Sequence, residues 1–533
     1  MGILYNPGNE GYKRVVDSVI YVDKTQMLEE INKRLDSESN CICISRPRCF
    51  GKSIAARMLT AYYCKDCDSR ELFHDKKIAQ TADFEKYLNQ YDVIHLDINH
   101  FLSMWDEETG KKIAVEKVVS KLQICVIEEL RKSFADCICE NEIYLPGALS
   151  SINDKTGIKF IIIIDEWDAL FRERKSDVKV QEEYIALLRG LFKNEPLLKF
   201  IRLAYLTGIL PIKKYGTESA LNNFDEFSMI YPGVMAEYVG FTKHEVEQLC
   251  EHYQMDMSEV EQWYDGYYLK NIGHVFNPRS IVCTMMQQDY NSFWTSTETY
   301  ETLKNYISAN FDGLKDAIVQ MLGGMRCRLN ANTFQNDMTS MQSKDDIMTL
   351  LVHLGYLAYD WKKKEVYIPN YEVRMEFENA VQTVGWTAVA NAIQKSMDLL
   401  EATWEMDTNY IAKALLEMHS EAASILQYND ENSLSCAITL AYYSAREYYT
   451  IFRELPRGRG FADMVFLPNK NVDKPALVVE LKWNQDAAGA IQQIKDKKYT
   501  QHLQDFVGEI LLIGINYQKK KEQYECIIET YRK

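Results

Sequence analysis

Short apolar runs, each closed by polar or small residues, punctuate the N-terminal part of the chain. They are Cys41–Ile44, Val93–Leu96 before Asp97, Phe160–Ile164 before Asp165 and Glu166, and Phe200–Leu206 before Thr207 and Gly208. Runs of this length without alternation suit strands buried on both faces, as in a parallel sheet. Helical patterns separate them, beginning with Ile54–Leu59. Such strand–helix alternation predicts a mostly parallel α/β sheet with helices on both faces.

The pattern then changes. Asp345–Leu357 reads as an amphipathic helix ending in a turn, and Glu365–Asn370 as a strand, together a winged-helix-like module with Trp361–Lys364 at the wing tip. Residues 376–423 read as helical throughout, with Met397, Leu399, Leu400, Leu415 and Leu416 facing a core. Ala476–Lys482 is again apolar, except that Glu480 and Lys482 alternate with Val479 and Leu481 and so leave one face of a strand. The expected divisions are 1–290, the domain of the parallel sheet; 291–375, the winged-helix-like module; 376–423, a helical connector; and 424–533, a second α/β domain.

At 533 residues the chain exceeds one ordinary core, and 47% hydrophobic content with 12% aromatics supplies ample material for several. No apolar stretch approaches the ~20 residues that span a bilayer, and the N-terminus lacks the pattern of a secretion signal. The expectation is a cytoplasmic protein with no membrane partner. The thirteen cysteines fit a reducing compartment, and Cys64-x-x-Cys67 and Cys137-x-Cys139 read as free thiols, having no nearby histidine to complete a zinc site. The net charge of −16 opposes nonspecific nucleic-acid binding, but residues 451–500 carry nine Lys/Arg against six Asp/Glu, a local +3.

The first run leads into Ser45-Arg46-Pro47-Arg48-Cys49-Phe50-Gly51-Lys52-Ser53 and then a helix, the context a phosphate-binding loop requires. The Gly51 amide and its neighbours can cradle phosphate oxygens, Lys52 can reach the terminal phosphates, and the Ser53 hydroxyl can hold Mg²⁺. Arg46 stands where the first glycine of such loops is expected, and it is counted among the residues expected to bind the nucleotide. Asp165 is placed to reach Mg²⁺, Glu166 to polarise an attacking water, and Thr207 to sense the γ-phosphate. Arg172 and Arg279 are further charge donors to ATP.

In the C-terminal part, Asp463 opens one apolar run and Glu480-x-Lys482 lies within the next. This is the layout of a metal-dependent phosphodiester-cleaving site. The two carboxylates supply hard oxygen ligands for Mg²⁺ or Mn²⁺, and Lys482 stands by the attacking water. A charged pair without function inside so apolar a strand would carry a desolvation cost of several kcal/mol. Arg457 and Arg459, in the turn before Asp463, are natural phosphate contacts.

Taken together, Tyr21–Thr25, Arg46–Ser53, Asp165–Glu166, Thr207–Ile209, Trp263–Tyr267 and Asn277–Ser280 resemble the AAA-ATPase-like domain family of bacterial and archaeal proteins, typically fused to a PD-(D/E)XK nuclease-like domain. The resemblance makes Arg46 a normal family feature and Cys49 the departure, since the family usually has arginine there. It also implies that 1–290 is a P-loop ATPase domain with 291–375 as its lid, a further acid from the first helix of the nuclease-like domain, best matched by Glu431, and a flanking helix whose Gln493 and Tyr499 touch the substrate backbone. The expected function is an ATP-regulated, Mg²⁺-dependent nuclease acting on DNA before RNA, in a chain that can form a homo-oligomer. The alternative is an ATP-dependent switch or scaffold whose nuclease-like domain binds a partner or nucleic acid without cutting.

Overall fold

The computed structural model describes residues 2–531 except 107–109, 174–176, 194–197, 213, 216, 217, 220, 295–298, 309, 310, 312, 332, 333, 335–340, 342, 384–386, 424–436, 454–461, 470, 471 and 497–507. The chain divides into two compact units. One comprises Met1–Thr297 with Arg328–Val373, and the other Glu298–Cys327 with Arg374–Lys533.

The first unit is built on five parallel strands, β1 (Cys41–Ser45), β2 (Asp92–Asp97), β3 (Phe160–Asp165), β4 (Ile201–Gly208) and β5 (Asp225–Phe227). Their spatial order is β2-β3-β4-β1-β5, so β4 is inserted between β1 and the strand that carries Asp165. Every residue of β1 and β3 is buried, which is why these runs are apolar without alternation. Each wholly buried Ile or Leu there stabilises the fold by about 1.5–3 kcal/mol.

Helices α2 (Val118–Phe134), α3 (Leu145–Thr156) and α4 (Val178–Phe192) share one core with Cys41, Cys43, Ile162, Ile164, Ala204 and Leu206. The alternate residues Ile42, Ile44, Ile161 and Ile163 are equally buried on the opposite face, where α1 (Lys52–Tyr63) packs against the sheet. The layers are therefore helix, sheet, helix.

Later in this unit, α5 (Pro278–Gln287) starts at Asn277, whose side chain accepts from the Arg279 amide at 2.9 Å, with Pro278 pre-set in the first turn. Then α6 (Lys344–Leu354), capped by a reciprocal Ser343–Asp346 box, leads to a hairpin of Ala358–Asp360 with Glu365–Tyr367, the expected helix and wing. Tyr267, from the Trp263–Tyr267 motif, is fully buried, donates to the Gly355 carbonyl at 2.5 Å and packs edge-on against Phe50 at 5.6 Å. That single ring ties the start of the wing to the phosphate loop.

The second unit holds a mixed sheet in simple sequence order: β6 (Tyr449–Arg453), β7 (Met464–Pro468), β8 (Ala476–Trp483), β9 (Ile510–Gln518) and β10 (Gln523–Tyr531). Only β8 and β9 run parallel, and α9 (Ala487–Asp496) lies in the connection between them. One face, with Leu477, Val479, Leu481 and Ile513, packs on α7 (Thr387–Trp404) and α8 (Thr408–Ala423) through Leu399, Leu400, Ile411 and Leu415. The other face, with Ala476, Val478, Ile510 and Leu512, is covered by Ile491 and Ile494 of α9. Among the described residues, no helix is long and apolar enough to cross a membrane.

Candidate nucleotide and phosphodiester sites

In the first unit, β1 delivers the chain into the loop 46–51. Gly51, at φ +93°, is the left-handed N-cap of α1, and Cys49 adopts φ +65°. The left-handed turn at Gly51 suits a residue without Cβ, and it aims the first amides of α1 together, an arrangement that binds anions. Lys52 is buried; its Nζ donates to the Pro47 carbonyl at 3.0 Å and lies 3.7 Å from Glu166 Oε1. Ser53 is half-buried in the first turn of α1.

Asp165 ends β3 and accepts the Thr207 hydroxyl from the adjoining β4 and the Glu166 amide at 3.1 Å. Strand insertion thus places Thr207 against Asp165, two positions 42 residues apart. Asp97, at the tip of β2, is paired in register with Asp165, and burial followed by the nearby Asp165 charge raises its carboxyl.

Glu166 sits at φ +52° and is gripped by the Arg172 Nη2, while Arg172 Nε holds Asp168 at 3.0 Å. Asp168 is buried and also accepts the amides of Ile209 and Leu210 at 3.2 and 2.8 Å. Burial alone would raise the Glu166 carboxyl; Lys52, then Arg172 and Arg48, outweigh it and hold it below the usual range. For Asp168 burial prevails over Arg172 and raises the carboxyl. This Asp168–Arg172–Glu166 clamp is absent from the motif reading, although the four-residue spacing of Asp168 and Arg172 allowed a helical pair.

Arg46, expected to bind nucleotide, lies elsewhere than the phosphate cradle. It is fully buried, with Nη1 donating to the carbonyls of Ser45 and Phe227, both at 3.0 Å. Burial lowers its guanidinium to about 10. Its hydrogen bonds link β1 to β5, because the residue that replaces the loop's first glycine turns inward.

In the second unit, β7 and β8 pair antiparallel with Met464 opposite Val479. One step further along this register sets Asp463 opposite Glu480. Asp463 Oδ2 accepts the Leu481 amide at 2.6 Å, which fixes that carboxylate at the strand end. Glu480 is 2% exposed and accepts from the Gln493 amide and, at 3.3 Å, from Lys482 Nζ. Lys482 Nζ also reaches Gln493 Oε1 at 2.6 Å.

Helix α9 brings Gln493 there because its partner strand carries Gly514, paired with Glu480. A Cβ at Gly514 would stand 2.5 Å from the Ala487 carbonyl and 3.1 Å from the Ala490 side chain. Two hard-oxygen donors on adjoining strands, with a lysine beside them, fit a divalent cation in chemistry and placement. Asp463 and Glu480 would hold it. Among the described residues no cluster of three or more candidate ligands stands out, so remaining positions would fall to water and substrate. Glu431, Arg457, Arg459 and Tyr499 lie outside the described residues.

The order of the parallel sheet, the loop before α1 and the acids ending β3 define a P-loop nucleotide-binding fold, and the second sheet is that of a PD-(D/E)XK-type domain. Residues 9–217 match the family described as "Predicted AAA-ATPase", and residues 429–526 match the PD-(D/E)XK nuclease superfamily. The chain is a fusion of an AAA-ATPase-like domain and a PD-(D/E)XK nuclease-like domain. No curated protein matches it. Among solved structures it is similar to the Aeropyrum pernix ORC2 protein in ADPNP–ADP complexes, with 11% identity and a TM-score of 0.29, over 70% of this chain and 98% of that one. A likeness that slight has no bearing on function.

Proposed function

We propose that this protein is an ATP-regulated, Mg²⁺-dependent nuclease that hydrolyses phosphodiester bonds, DNA before RNA. The observation that carries the reading is the register that sets Asp463 opposite Glu480, with Lys482 on the same face of β8. When bound, the cation supplies Lewis-acid chemistry at the scissile phosphate. Asp463, fixed by the Leu481 amide, and Glu480, fixed by Gln493, hold their oxygens without further reorganisation. Lys482 positions the attacking water and offsets charge developing on the phosphate. In the other unit, the amides at the start of α1, Lys52 and Ser53 receive the triphosphate, Asp165 and Thr207 form the metal-side pair, and Glu166 orients water. Arg457, Arg459 and Tyr499 are proposed substrate contacts, and Glu431 a further acid, on sequence grounds.

A basic, aromatic surface on the first unit fits the same substrate. The side chains of Lys270, from one hairpin, and Lys362, from the wing, lie over the Trp361 ring at 5.1 and 5.4 Å. Exposed Lys363 and Lys364 adjoin them.

A second reading is favoured by one contact: the Glu480 carboxylate is engaged by both Gln493 and Lys482, an arrangement that also suits binding without cutting. Single- and double-stranded DNA and RNA, each incubated with Mg²⁺ or Mn²⁺ and either the native protein or Lys482→Ala, separate the two. Metal-dependent products absent from the variant support the nuclease. Retained nucleic-acid binding without products in any condition supports the switch.

A further inference from the structure

The turn that follows α1 carries chemistry the nucleotide site does not use. Cys64 closes α1, its amide donating to the Thr60 carbonyl at 3.0 Å, and is wholly buried. Three residues on, Cys67 is half-buried, while Lys65, Asp66 and Asp68 around it are exposed. A turn of four residues holds its first and last Cα atoms closer than about 7 Å, a limit that overlaps the range a disulfide spans.

The Cys67 sulfur is set in polar surroundings. Asn89 Nδ2 donates to it at 3.5 Å, the Ser69 hydroxyl lies 3.5 Å away, and its thiol faces the Cys64 carbonyl at 3.4 Å. Interaction with Cys64, then the Ser69 hydroxyl, brings the Cys67 thiol down to about 7, against burial and the charges of Asp66 and Asp68. Interaction with Cys67, followed by burial, drives Cys64 strongly upward. One thiol is thus poised as a nucleophile at the surface and the other is kept protonated behind it, a division of labour found in dithiols that exchange with disulfides. A zinc site is the rival use of Cys-x-x-Cys, but among the described residues no group of three or more His, Cys, Asp or Glu suits a metal.

We infer that Cys64 and Cys67 form a thiol–disulfide exchange site, whose reaction partner is a small disulfide of the glutathione class. The Cys67 thiolate attacks one sulfur of the small disulfide, breaking its S–S bond and releasing one thiolate. Cys64 then gives up its proton, and its sulfur attacks Cys67 Sγ in the mixed disulfide, expelling the second thiolate. The two protons lost by the cysteines end on the two released thiols. The protein dithiol is oxidised by two electrons and the small disulfide is reduced by two. The new bond closes the C-terminal end of α1, the helix whose N-terminus presents the phosphate loop.

The test treats the reduced full-length protein with oxidised glutathione, traps remaining thiols by alkylation, and maps the products by mass. The expected product is a loss of about 2 Da in the peptide spanning Cys64 and Cys67, reversed by dithiothreitol. In Cys64→Ser the reaction stops at a glutathione adduct on Cys67, and in Cys67→Ser no disulfide forms. Adduct formation at exposed Cys139 verifies that the oxidant is competent. With that control positive, wild-type Cys64 and Cys67 both recovered as alkylated thiols would overturn the inference. A mixed disulfide persisting on wild-type Cys67 would overturn it equally, since Cys64 would then not resolve it.

Discussion

Lys52 Nζ lies 3.7 Å from Glu166, and Glu166 is held in turn by Arg172. In the proposed function one ammonium group serves both a carboxylate and the terminal phosphates, while the carboxylate that would orient water is gripped from its other side. Two substitutions separate these duties. Lys52→Ala should abolish nucleotide binding, measured by calorimetry. Glu166→Gln should keep binding and lower ATP hydrolysis by about 10²-fold or more, the share general-base positioning commonly supplies. Equal loss of binding in both would mean that Glu166 serves the loop's structure instead. In the second unit, Lys482→Ala removes a donor to buried Glu480, with Gln493 still donating. We expect cutting to fall by about 10²-fold or more, with unfolding made easier by up to ~3 kcal/mol. The placement of Lys52 at the start of α1 and of Lys482 beside Glu480 was legible from the sequence, because strand–loop–helix context and period-two alternation are local. The inward turn of Arg46 was not, since it depends on the Phe227 carbonyl of β5, far along the chain.

Among the elements, α9 and β9 show how packing sets chemistry. Gly514 lets α9 approach β9 closely enough for Gln493 to meet Glu480 and Lys482. Gly514→Ala should cost about 1–3 kcal/mol by overpacking, and should reduce cutting although Asp463, Glu480 and Lys482 are all retained. Full activity in a stably folded variant would contradict that role. A second case joins α5 to the helix Tyr371–Thr383, where buried Glu372 accepts the Ser280 hydroxyl at 2.8 Å and the amides of Phe293 and Trp294 at 2.8 and 2.9 Å. Burial outweighs these bonds and pushes its carboxyl up from 4.5 to about 7. The folded value exceeds the unfolded one, so its contribution is full below the unfolded value and is lost as pH rises through about 7. The loss amounts to about 3 kcal/mol at most. Glu372→Gln should therefore remove this dependence, and urea titrations of variant and wild type should diverge as pH rises from about 4.5 to 7. Parallel curves would refute the assignment. Nothing in the sequence marked Glu372, because its partners come from segments about 80–90 residues away whose backbone amides carry no side-chain signature.

At the scale of the whole molecule, the sheet of the first unit was legible because buried parallel strands are written as plain apolar runs, and the helix and wing because their periods differ. The affiliation of Glu298–Cys327 with the second unit was not, as its apolar residues say only that they are buried. With a net charge of −16, the proposed nucleic-acid binding must rest on locally basic parts of the chain, such as the sequence 451–500 and the Lys270–Trp361–Lys362 cluster. Cutting should accordingly fall steeply between about 50 and 200 mM salt, because bound phosphates displace condensed counterions. A flat response would exclude that mode of binding. Whether nucleotide binding at Lys52 governs hydrolysis at Lys482 is decided by the rate of nucleic-acid cutting across an ATP titration in wild type and in Lys52→Ala. The predicted result is a wild-type rate that changes severalfold as the nucleotide site fills, and a variant that cuts at one fixed rate whatever the ATP concentration. ATP hydrolysis with no cutting by wild type at any point, or identical ATP responses in both proteins, would contradict it.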